Sequence, residues 1–203
     1  LVALWEAEGV DASAVARDQS APTGLYFVRH SEEGHEFEYR RAGSAASLLS
    51  PENLPRTAIK SSRLLHLSGI TQAISDSARD AGFAAREVIH AGMRQVDIAL
   101  PGLEDARLLT GLHEPVDVAK FYLDLGAKIV ALTLGPDGAL VVTRDQTVHI
   151  EARPAKLVDA TGAGDCFDGA FLVEWLRTGD VARAGRFAVA AASISVEGYG
   201  AVA

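Results

Sequence analysis

Blocks of hydrophobic and polar positions along the chain predict strands that alternate with helices. Apolar runs and two-residue alternation predict strands, whereas apolar residues repeating every three or four positions predict helices. Strands are predicted at 23–30, 35–41, 63–69, 96–100 and 128–134, followed by a hairpin at 139–150. Helices are predicted at 1–9, 50–54, 74–85, 86–94, 103–110, 116–125, 167–178 and 181–196. This alternation is typical of an α/β fold with a mainly parallel sheet flanked by helices.

Three details of this pattern carry specific expectations. The strand at 63–69 is apolar except for His66, so we expect a buried parallel strand with that histidine in the core. The helices at 74–85 and 86–94 follow each other with no strand between them, which breaks the strand–helix–strand order of a parallel sheet. We therefore expect that a segment is omitted near 85–86. The chain starts within a helix, so we expect a single domain, 1–203, that is incomplete at its N-terminus.

The first two strands form a separate pattern. They are joined by a turn at 31–34, and the second strand alternates polar and apolar residues, so 23–41 is predicted to be a small β-hairpin. Such a hairpin is either a lid over a site or a solvated edge, and the periodicity alone does not choose between them.

A glycine-rich loop precedes the helix at 167–178, in the string Asp-Ala-Thr-Gly-Ala-Gly-Asp-Cys-Phe at 159–167. The first turn of a helix has unpaired N–H groups and a positive dipole end, and small residues let an anion approach them. Gly162, Ala163 and Gly164 are therefore predicted to bind phosphate. Asp165 follows at once, where a carboxylate can take a proton from an attacking hydroxyl. Glycine and aspartate are also ordinary turn and cap residues, so this spacing alone is weak evidence.

Composition narrows the class of protein. The 203 residues are 48% hydrophobic and 23% charged, the balance of a globular domain. The net charge of −8 argues against nucleic acid or an anionic membrane as the main partner. Cys166 is the one cysteine, so no internal disulfide is possible, and no apolar run reaches the length of a membrane span. We expect a cytoplasmic protein and a homo-oligomer.

The nine-residue string at 159–167 resembles the C-terminal signature of the PfkB, or ribokinase-like, family of sugar kinases, and it matches every defining position. The resemblance implies a ribokinase-like fold, ATP and Mg²⁺ as cofactors, and a monovalent cation as a further expectation. It implies that the amides of Gly162, Ala163 and Gly164 form an anion hole and that Asp165 is the catalytic base. It also implies an ATP site that includes Thr133, Gly135, Gly138, Gly162 and Gly164.

A second stretch suggests the substrate. Tyr39-Arg40, followed by Ser44-Ala45-Ala46, resembles a segment of 2-keto-3-deoxygluconate kinases, in which a lid tyrosine and arginine contact the sugar acid. The resemblance implies that Tyr26, Tyr39, Arg40 and Asp165 bind a sugar acid, and a guanidinium can pair with a carboxylate through two hydrogen bonds. Glu38 departs from the pattern, which has a tyrosine there.

The resulting hypothesis is an ATP-dependent kinase that phosphorylates 2-keto-3-deoxygluconate to its 6-phosphate. The alternatives are another kinase of the family, such as a fructokinase or ribokinase, and a sugar or nucleotide sensor without turnover. A P-loop kinase is disfavoured because the sequence G-x-x-x-x-G-K-[ST] is absent. A Rossmann dehydrogenase is disfavoured because its glycine-rich turn follows the first strand, not a hairpin near the C-terminus.

Overall fold

The structure is a computed structural model that describes residues 1–31, 34–89 and 97–201. The chain divides into two compact units, residues 1–94 and 95–203, which are described separately.

In the first unit the predicted hairpin is confirmed. Strand β1 (Leu25–Ser31) pairs antiparallel with β2 (Gly34–Arg40), and part of the predicted turn lies outside the described residues. Tyr26 pairs with Tyr39, and Phe27 pairs with Glu38. Because successive side chains of a strand point to opposite faces, the two tyrosines share one face, and Phe27, Glu38 and Arg40 share the other.

The rest of the first unit is helical. Its helices are α1 (Val2–Ala7), α2 (Arg56–Ser61), α3 (Gly69–Ile74) and α4 (Asp76–Ile89), with short 3₁₀ turns at Ala45–Leu48 and Pro51–Asn53. Ser50 and Asn53 cap the second turn reciprocally, and the Ser50 amide donates to Asn53 Oδ1 at 2.9 Å. The short helix predicted at 50–54 is one 3₁₀ turn, because Leu54 precedes Pro55 and has extended backbone angles.

Two predictions for this unit are wrong. Residues 63–68 form no strand, and His66 is exposed rather than buried in a core. A strand forms only where a neighbour accepts its backbone hydrogen bonds, and β1 and β2, the strands described in this unit, pair with each other. Helix α4 also passes through Ala85 and Arg86 without a break, so the predicted boundary between two helices is wrong. Residues 90–94 of the second predicted helix lie outside the described residues. The omission of a segment at that point stays a prediction.

The second unit contains the main sheet. Its strands are β3 (Ile98–Ala99), β4 (Ile129–Thr133), β5 (Ala139–Thr143) and β6 (Thr147–Ile150), in that spatial order. Its helices are α5 (Leu103–Thr110), α6 (Pro115–Asp124), α7 (Ala163–Thr178) and α8 (Val181–Ser195).

The sheet of the described residues is mixed rather than mainly parallel. β3 and β4 are parallel, whereas β4, β5 and β6 pair antiparallel. Two antiparallel strands need only a short turn, whereas two parallel strands need a crossover of a dozen or more residues. The connections after β4 and β5 are short, and the connection from β3 to β4 contains α5 and α6.

Helices cover both faces of this sheet, which confirms the α/β class. One face packs Ile129, Ala131, Val141 and Ile150 against apolar residues of α7 and α8. The other face packs a second cluster against α5 and α6: Val130, Leu132, Leu140 and Val142. Each large apolar side chain that is buried in this way stabilises the fold by roughly 1.5–3 kcal/mol.

A buried carboxylate joins α7 to α8. Glu174 is 3% exposed and accepts hydrogen bonds from Arg177 on its own helix (2.8 and 2.9 Å) and from Arg183 on α8. Burial raises the pKa of Glu174, but hydrogen bonds and charge from the two guanidinium groups outweigh burial and hold the pKa below its usual value. The ionised carboxylate is therefore a structural link between the two helices.

We expect Glu174→Ala to lower the Tm by a few degrees, because it removes a buried side chain and its hydrogen bonds between α7 and α8, whereas the two guanidinium groups stay more than half exposed to water. Because the pKa of Glu174 is depressed in the folded protein, its contribution is present above the pKa of a free glutamate and is lost at lower pH. The Tm difference from wild type should therefore shrink on acidification. The measurement is a thermal melt over a range of pH.

Asp117→Ala is the matched control for this melt. Asp117 makes an exposed ion pair with Lys120 at 3.9 Å on α6, so its loss should hardly change the Tm. Equal Tm values for Glu174→Ala and this control would contradict the structural role of Glu174.

Candidate active site

The start of α7 provides free backbone donors. Among the described residues, the amides of Gly164 and Asp165 have no hydrogen-bond partner, and no side chain caps this helix. The amide of Ala163 donates to the carbonyl of Ala160 at 3.1 Å, so it is occupied in this conformation. Two free N–H groups at the positive end of a 16-residue helix are a site where an anion can bind.

The two glycines of the loop have different roles. Gly162 has φ +80°, in the left-handed region, and a Cβ there would lie 2.8 Å from Cβ of Ala201. Gly164 has ordinary backbone angles, and a Cβ there would meet no atom within 4 Å. Gly162 is therefore required by the turn itself, whereas the surface above Gly164 is open. An approaching anion can reach the Gly164 amide directly.

Two carboxyl groups lie on successive turns of α7. Asp165 is in the first turn and is exposed, and Asp168 is half-buried one turn later. Burial, together with the negative charge of Asp165, raises the pKa of Asp168 to about 7. Residues three apart on a helix are neighbours on one face, so these two carboxyl groups share a face. No role for Asp168 was expected from the sequence.

A buried aspartate anchors the glycine-rich loop through hydrogen bonds to backbone amides. Asp159 is 3% exposed, and its two carboxylate oxygens accept from the amides of Thr161 and Gly200, both at 2.9 Å. The adjacent backbone strengthens this link, because the amide of Val158 donates to the carbonyl of Val196 at 2.8 Å. Asp159 therefore ties the glycine-rich loop to the chain that follows α8. In the sequence, the one indication of this role was the position of Asp159 at the start of the nine-residue string at 159–167.

Thr161 carries a buried hydroxyl that lacks a partner. Among the described residues, its Oγ1 is one of two buried side-chain oxygen or nitrogen atoms without a hydrogen bond. A buried polar atom is normally hydrogen-bonded, so an oxygen in this state is open to a ligand.

The three predicted nucleotide residues outside α7 lie at the end of β4. Thr133 is on the sheet face that also carries Ile129 and Ala131, which is the face covered by α7 and α8. Gly135 and Gly138 bound a one-turn 3₁₀ helix with φ values of 62° and 88°. A Cβ on Gly138 would overlap the backbone of Ile150 and Ala152, so this position is restricted to glycine by its neighbours.

A surface cleft of about 660 Å³ borders the same turn but lies towards α6. Leu134 and Leu140, which belong to the core cluster beneath α5 and α6, are part of its wall. No residue of the glycine-rich loop lines the cleft. The cleft and the start of α7 are therefore on different faces of the sheet, and the cleft is not the predicted phosphate site.

The predicted substrate residues of the hairpin lie on two faces. The rings of Tyr26 and Tyr39 are both exposed, with centroids 6.3 Å apart. On the opposite face, Arg40 donates from Nε and Nη2 to one oxygen of Glu38 at 3.1 and 3.0 Å, and its guanidinium lies 5.2 Å from the ring centre of Phe27. A ligand on one face of the hairpin can therefore contact either the two tyrosines or Arg40 directly, as expected for neighbouring residues of a strand.

Other classes of site find no support in the part of the chain that the structure describes. No three histidine, cysteine, aspartate or glutamate residues are grouped as they would be around a metal ion. Within the same residues, every helix is too short or too polar to span a bilayer.

A comparison with models of protein families assigns the chain to a family. The model of the pfkB family carbohydrate kinases matches residues 1–203. The chain belongs to this family. The predicted recognition is therefore confirmed, and with it the class of enzyme, a carbohydrate kinase.

Curated relatives carry several substrate names. The 2-dehydro-3-deoxygluconokinase of Thermoproteus tenax is 32% identical to this chain in an alignment of 224 positions. The alignment covers 97% of this chain and 69% of the relative. The enzyme of the same name from Bacillus subtilis is 32% identical, covering 79% of this chain and 59% of that protein. A ribokinase from Staphylococcus aureus is 28% identical, with coverage of 96% and 70%. The chain thus spans roughly 60–70% of the length of these relatives.

Solved structures confirm the ribokinase-like fold. The PfkB protein from Polaromonas sp. JS666 superposes with a TM-score of 0.84 at 29% identity, covering 97% of this chain and 74% of that protein. An E. coli protein provisionally assigned as ribokinase II, solved in complex with ATP and Mg²⁺, gives a TM-score of 0.88 at 24% identity, with coverage of 98% and 73%.

Proposed function

We propose that this protein transfers the γ-phosphoryl group of ATP to a hydroxyl of a sugar acid, with 2-keto-3-deoxygluconate as the substrate and its 6-phosphate as the product. The observation that carries the proposal is the start of α7, where two free amides and an exposed carboxylate follow each other in the chain. This is the combination that phosphoryl transfer needs, because one group must stabilise the phosphate and another must accept the hydroxyl proton.

Each group has a defined task in this reaction. The amides of Gly164 and Asp165 donate to the oxygens of the transferring phosphoryl group, aided by the positive end of the α7 dipole. The Asp165 carboxylate accepts the proton of the attacking hydroxyl as the new P–O bond forms and the bond to the leaving ADP breaks. Asp159 holds the loop in place through its hydrogen bonds to Thr161 and Gly200.

The nucleotide contacts remain proposals from the resemblance. Thr133, Gly135 and Gly138 would border ATP, and Mg²⁺, usually bound through substrate phosphates, would neutralise part of their charge. The E. coli neighbour was solved with ATP and Mg²⁺ bound, which supports ATP and Mg²⁺ as the cofactors in this proposal. The buried, unpartnered Thr161 Oγ1 near the Asp159 carboxylate supports the further proposal of a monovalent cation. The homo-oligomer stays a prediction.

Substrate choice is supported by the relatives and by the hairpin. Two 2-dehydro-3-deoxygluconokinases match at 32% identity, and Arg40 is exposed on one face of the hairpin. Tyr26 and Tyr39 are exposed on the opposite face, so their contact with the same sugar acid stays a prediction. In this proposal Arg40 pairs with the carboxylate of the sugar acid.

One observation favours a second candidate, a kinase for a neutral sugar such as ribose or fructose. Glu38 accepts two hydrogen bonds from Arg40 and also lies 3.7 Å from Arg29, so its charge offsets that of the arginines. A guanidinium that is already paired attracts a sugar carboxylate less strongly. The experiment that separates the candidates measures ADP release with 2-keto-3-deoxygluconate, fructose and ribose. A higher kcat/KM for either neutral sugar would refute the sugar-acid assignment.

We expect Arg40→Ala to raise the KM for 2-keto-3-deoxygluconate about tenfold and to leave the KM for ATP unchanged, since hydrogen bonds to charged groups matter on this scale. Arg40→Lys should also raise it, because lysine lacks the planar fork. Glu38→Gln should lower the same KM by a few-fold, because it releases the guanidinium. Steady-state kinetics on purified variants provides the test.

Arg29→Ala is the matched control on the same hairpin face. It removes an exposed arginine next to Glu38 but not the proposed ligand of the carboxylate. The assignment of Arg40 fails if both arginine variants change the sugar-acid KM equally, or if neither changes it. Thermal melts should be similar for all of these variants, because the ion pairs are exposed.

A further inference from the structure

We propose that Arg41 is a further substrate-binding residue, whose guanidinium binds the acid group of a sugar acid from the tyrosine face of the hairpin. The tyrosine face is the face of the hairpin that carries Tyr26 and Tyr39. The inference rests on the proposed function, because it takes a sugar acid as the substrate. It deepens that function by assigning a cation to the face that Arg40 does not share.

The guanidinium of Arg41 lies on the tyrosine face. Its Cζ is 4.2 Å from the centre of the Tyr39 ring, and the centre of that ring is 6.3 Å from the centre of the Tyr26 ring. Both tyrosines are about half exposed, so the surface formed by the two rings and the guanidinium is open to a ligand. This surface fits a sugar acid, because the rings can pack on the C–H groups of the sugar and the guanidinium can pair with its carboxylate.

The stacked arrangement leaves the hydrogen-bond donors of Arg41 available. A guanidinium that stacks on a ring uses its flat face, whereas its five N–H groups lie along its edge. In the part of the chain that the structure describes, no carboxylate pairs with Arg41 and no acceptor takes a hydrogen bond from its side chain. Arg29 and Arg40 differ in this respect, because both contact Glu38 on the opposite face.

Burial adds to the effect of a missing partner. Arg41 is half-buried, whereas the side chains of Arg29 and Arg40 are 72% and 68% exposed. Partial burial removes some of the water that hydrates a charge, and this loss costs free energy unless another group replaces the water. The Tyr39 ring offsets part of that cost through the cation–π interaction. An acid group bound here would supply the partner, and its attraction to Arg41 would be screened less than at an exposed arginine.

Backbone hydrogen bonds hold Arg41 in this position. The amide of Ser44 donates to the carbonyl of Arg41 at 3.0 Å, across a turn in which Gly43 has a φ of +71°. The amide of Ala45 donates to the carbonyl of Pro22 at 2.9 Å, which ties this turn to the residues before β1. A guanidinium that is already oriented loses less conformational entropy when a ligand binds.

The experiment compares wild type, Arg41→Ala, Arg41→Lys and Arg29→Ala in steady-state kinetics with 2-keto-3-deoxygluconate and MgATP. We expect Arg41→Ala to raise the KM for the sugar acid about tenfold, since hydrogen bonds to charged groups matter on this scale, and to leave the KM for MgATP unchanged. Arg41→Lys keeps the charge but loses the planar fork, so it should raise the same KM a few-fold. Arg29→Ala is the matched control, because it removes an exposed arginine from the opposite face and should change neither KM.

Salt dependence gives a second measurement that a purely structural role would not change. Titration calorimetry with 2-keto-3-deoxygluconate at increasing salt concentration measures how strongly charge pairing contributes to binding. The Kd of wild type should increase with salt, and the Kd of Arg41→Ala should increase less steeply because one pairing charge has been removed. Equal slopes for the two proteins would contradict a direct contact between Arg41 and the acid group.

The outcomes distinguish this inference from the proposed function. If Arg41→Ala has the same sugar-acid KM as Arg29→Ala while wild type phosphorylates the acid, Arg41 has no such role and the kinase proposal stands. If wild type turns over fructose or ribose but not the sugar acid, the sugar-acid assignment fails and this inference fails with it. Thermal melts check the fold of each variant. Should Arg41→Ala unfold, an unchanged KM in Arg41→Lys would overturn the inference and a few-fold increase would support it.

Discussion

Asp165→Asn should reduce kcat by about 10²–10⁴-fold while MgATP still binds, because general-base catalysis contributes on this scale. The amide side chain keeps the shape of the carboxylate but cannot take the proton from the sugar hydroxyl. Asp165 is exposed and makes no side-chain capping hydrogen bond, so the Tm should hardly change. Steady-state kinetics and calorimetry on the same protein would measure both effects.

Asp124→Asn is the control for this variant, because it removes an exposed carboxylate at the end of α6. It should turn over at the wild-type rate. Turnover of Asp165→Asn within about threefold of this control would remove Asp165 from the proposed mechanism, since general bases contribute far more than that. Loss of MgATP binding together with turnover would instead assign Asp165 to the nucleotide site.

Gly164→Val is expected to have the second largest effect, a loss of MgATP affinity of at least about tenfold, because a branched side chain would stand over the free amides. The fold should be retained, since the backbone of Gly164 is not in the left-handed region and a Cβ there meets no other atom. Calorimetry with MgATP and a thermal melt would check both statements.

Gly169→Val offers a matched control on the same helix. Gly169 is exposed on α7 and a Cβ there also meets no atom within 4 Å, but it lies beyond the first turn. Both variants carry the same penalty for valine in a helix, so a difference in MgATP affinity between them reports on the phosphate site. Equal affinities would mean that the loop is only a helix cap.

Variants of Gly162 cannot be interpreted in the same way as variants of Gly164, because the two glycines have different backbone angles and neighbours. Its φ of +80° and its approach to Ala201 mean that any side chain at this position disturbs the turn. A loss of binding in a Gly162 variant would therefore not separate folding from phosphate contact.

Local sequence signals predicted the helices of the second unit closely. The pattern placed one helix at 103–110, and α5 spans Leu103–Thr110 with Gly111 at φ 72° after it. The order of glycines and aspartate at 162–165 predicted the start of α7 and the candidate base. These features depend on residues within one or two helical turns, and capping and backbone preferences act over that distance.

The sequence misjudged the features that depend on distant partners. The apolar run at 63–69 satisfied the pattern of a buried strand, but a strand needs a neighbouring strand, which a pattern within one segment does not provide. The mixed sheet is a different case. The antiparallel pair of β5 and β6 was predicted as the hairpin at 139–150, whereas the antiparallel pair of β4 and β5 was not, although the short connection between them excludes a parallel crossover.

By itself the sequence determined the family, the α/β class and the position of the glycine-rich loop at the start of α7, because each is encoded in residues that are adjacent in the chain. Only the tertiary structure showed that Asp159 reaches Gly200, that Glu38 accepts two hydrogen bonds from Arg40, and that Asp168 is half-buried one turn after Asp165. These features arise from the folded backbone, which sets the direction of each side chain, the partners within its reach and its exposure to water. Hydrogen bonds and pKa values depend on that environment rather than on residue identity alone.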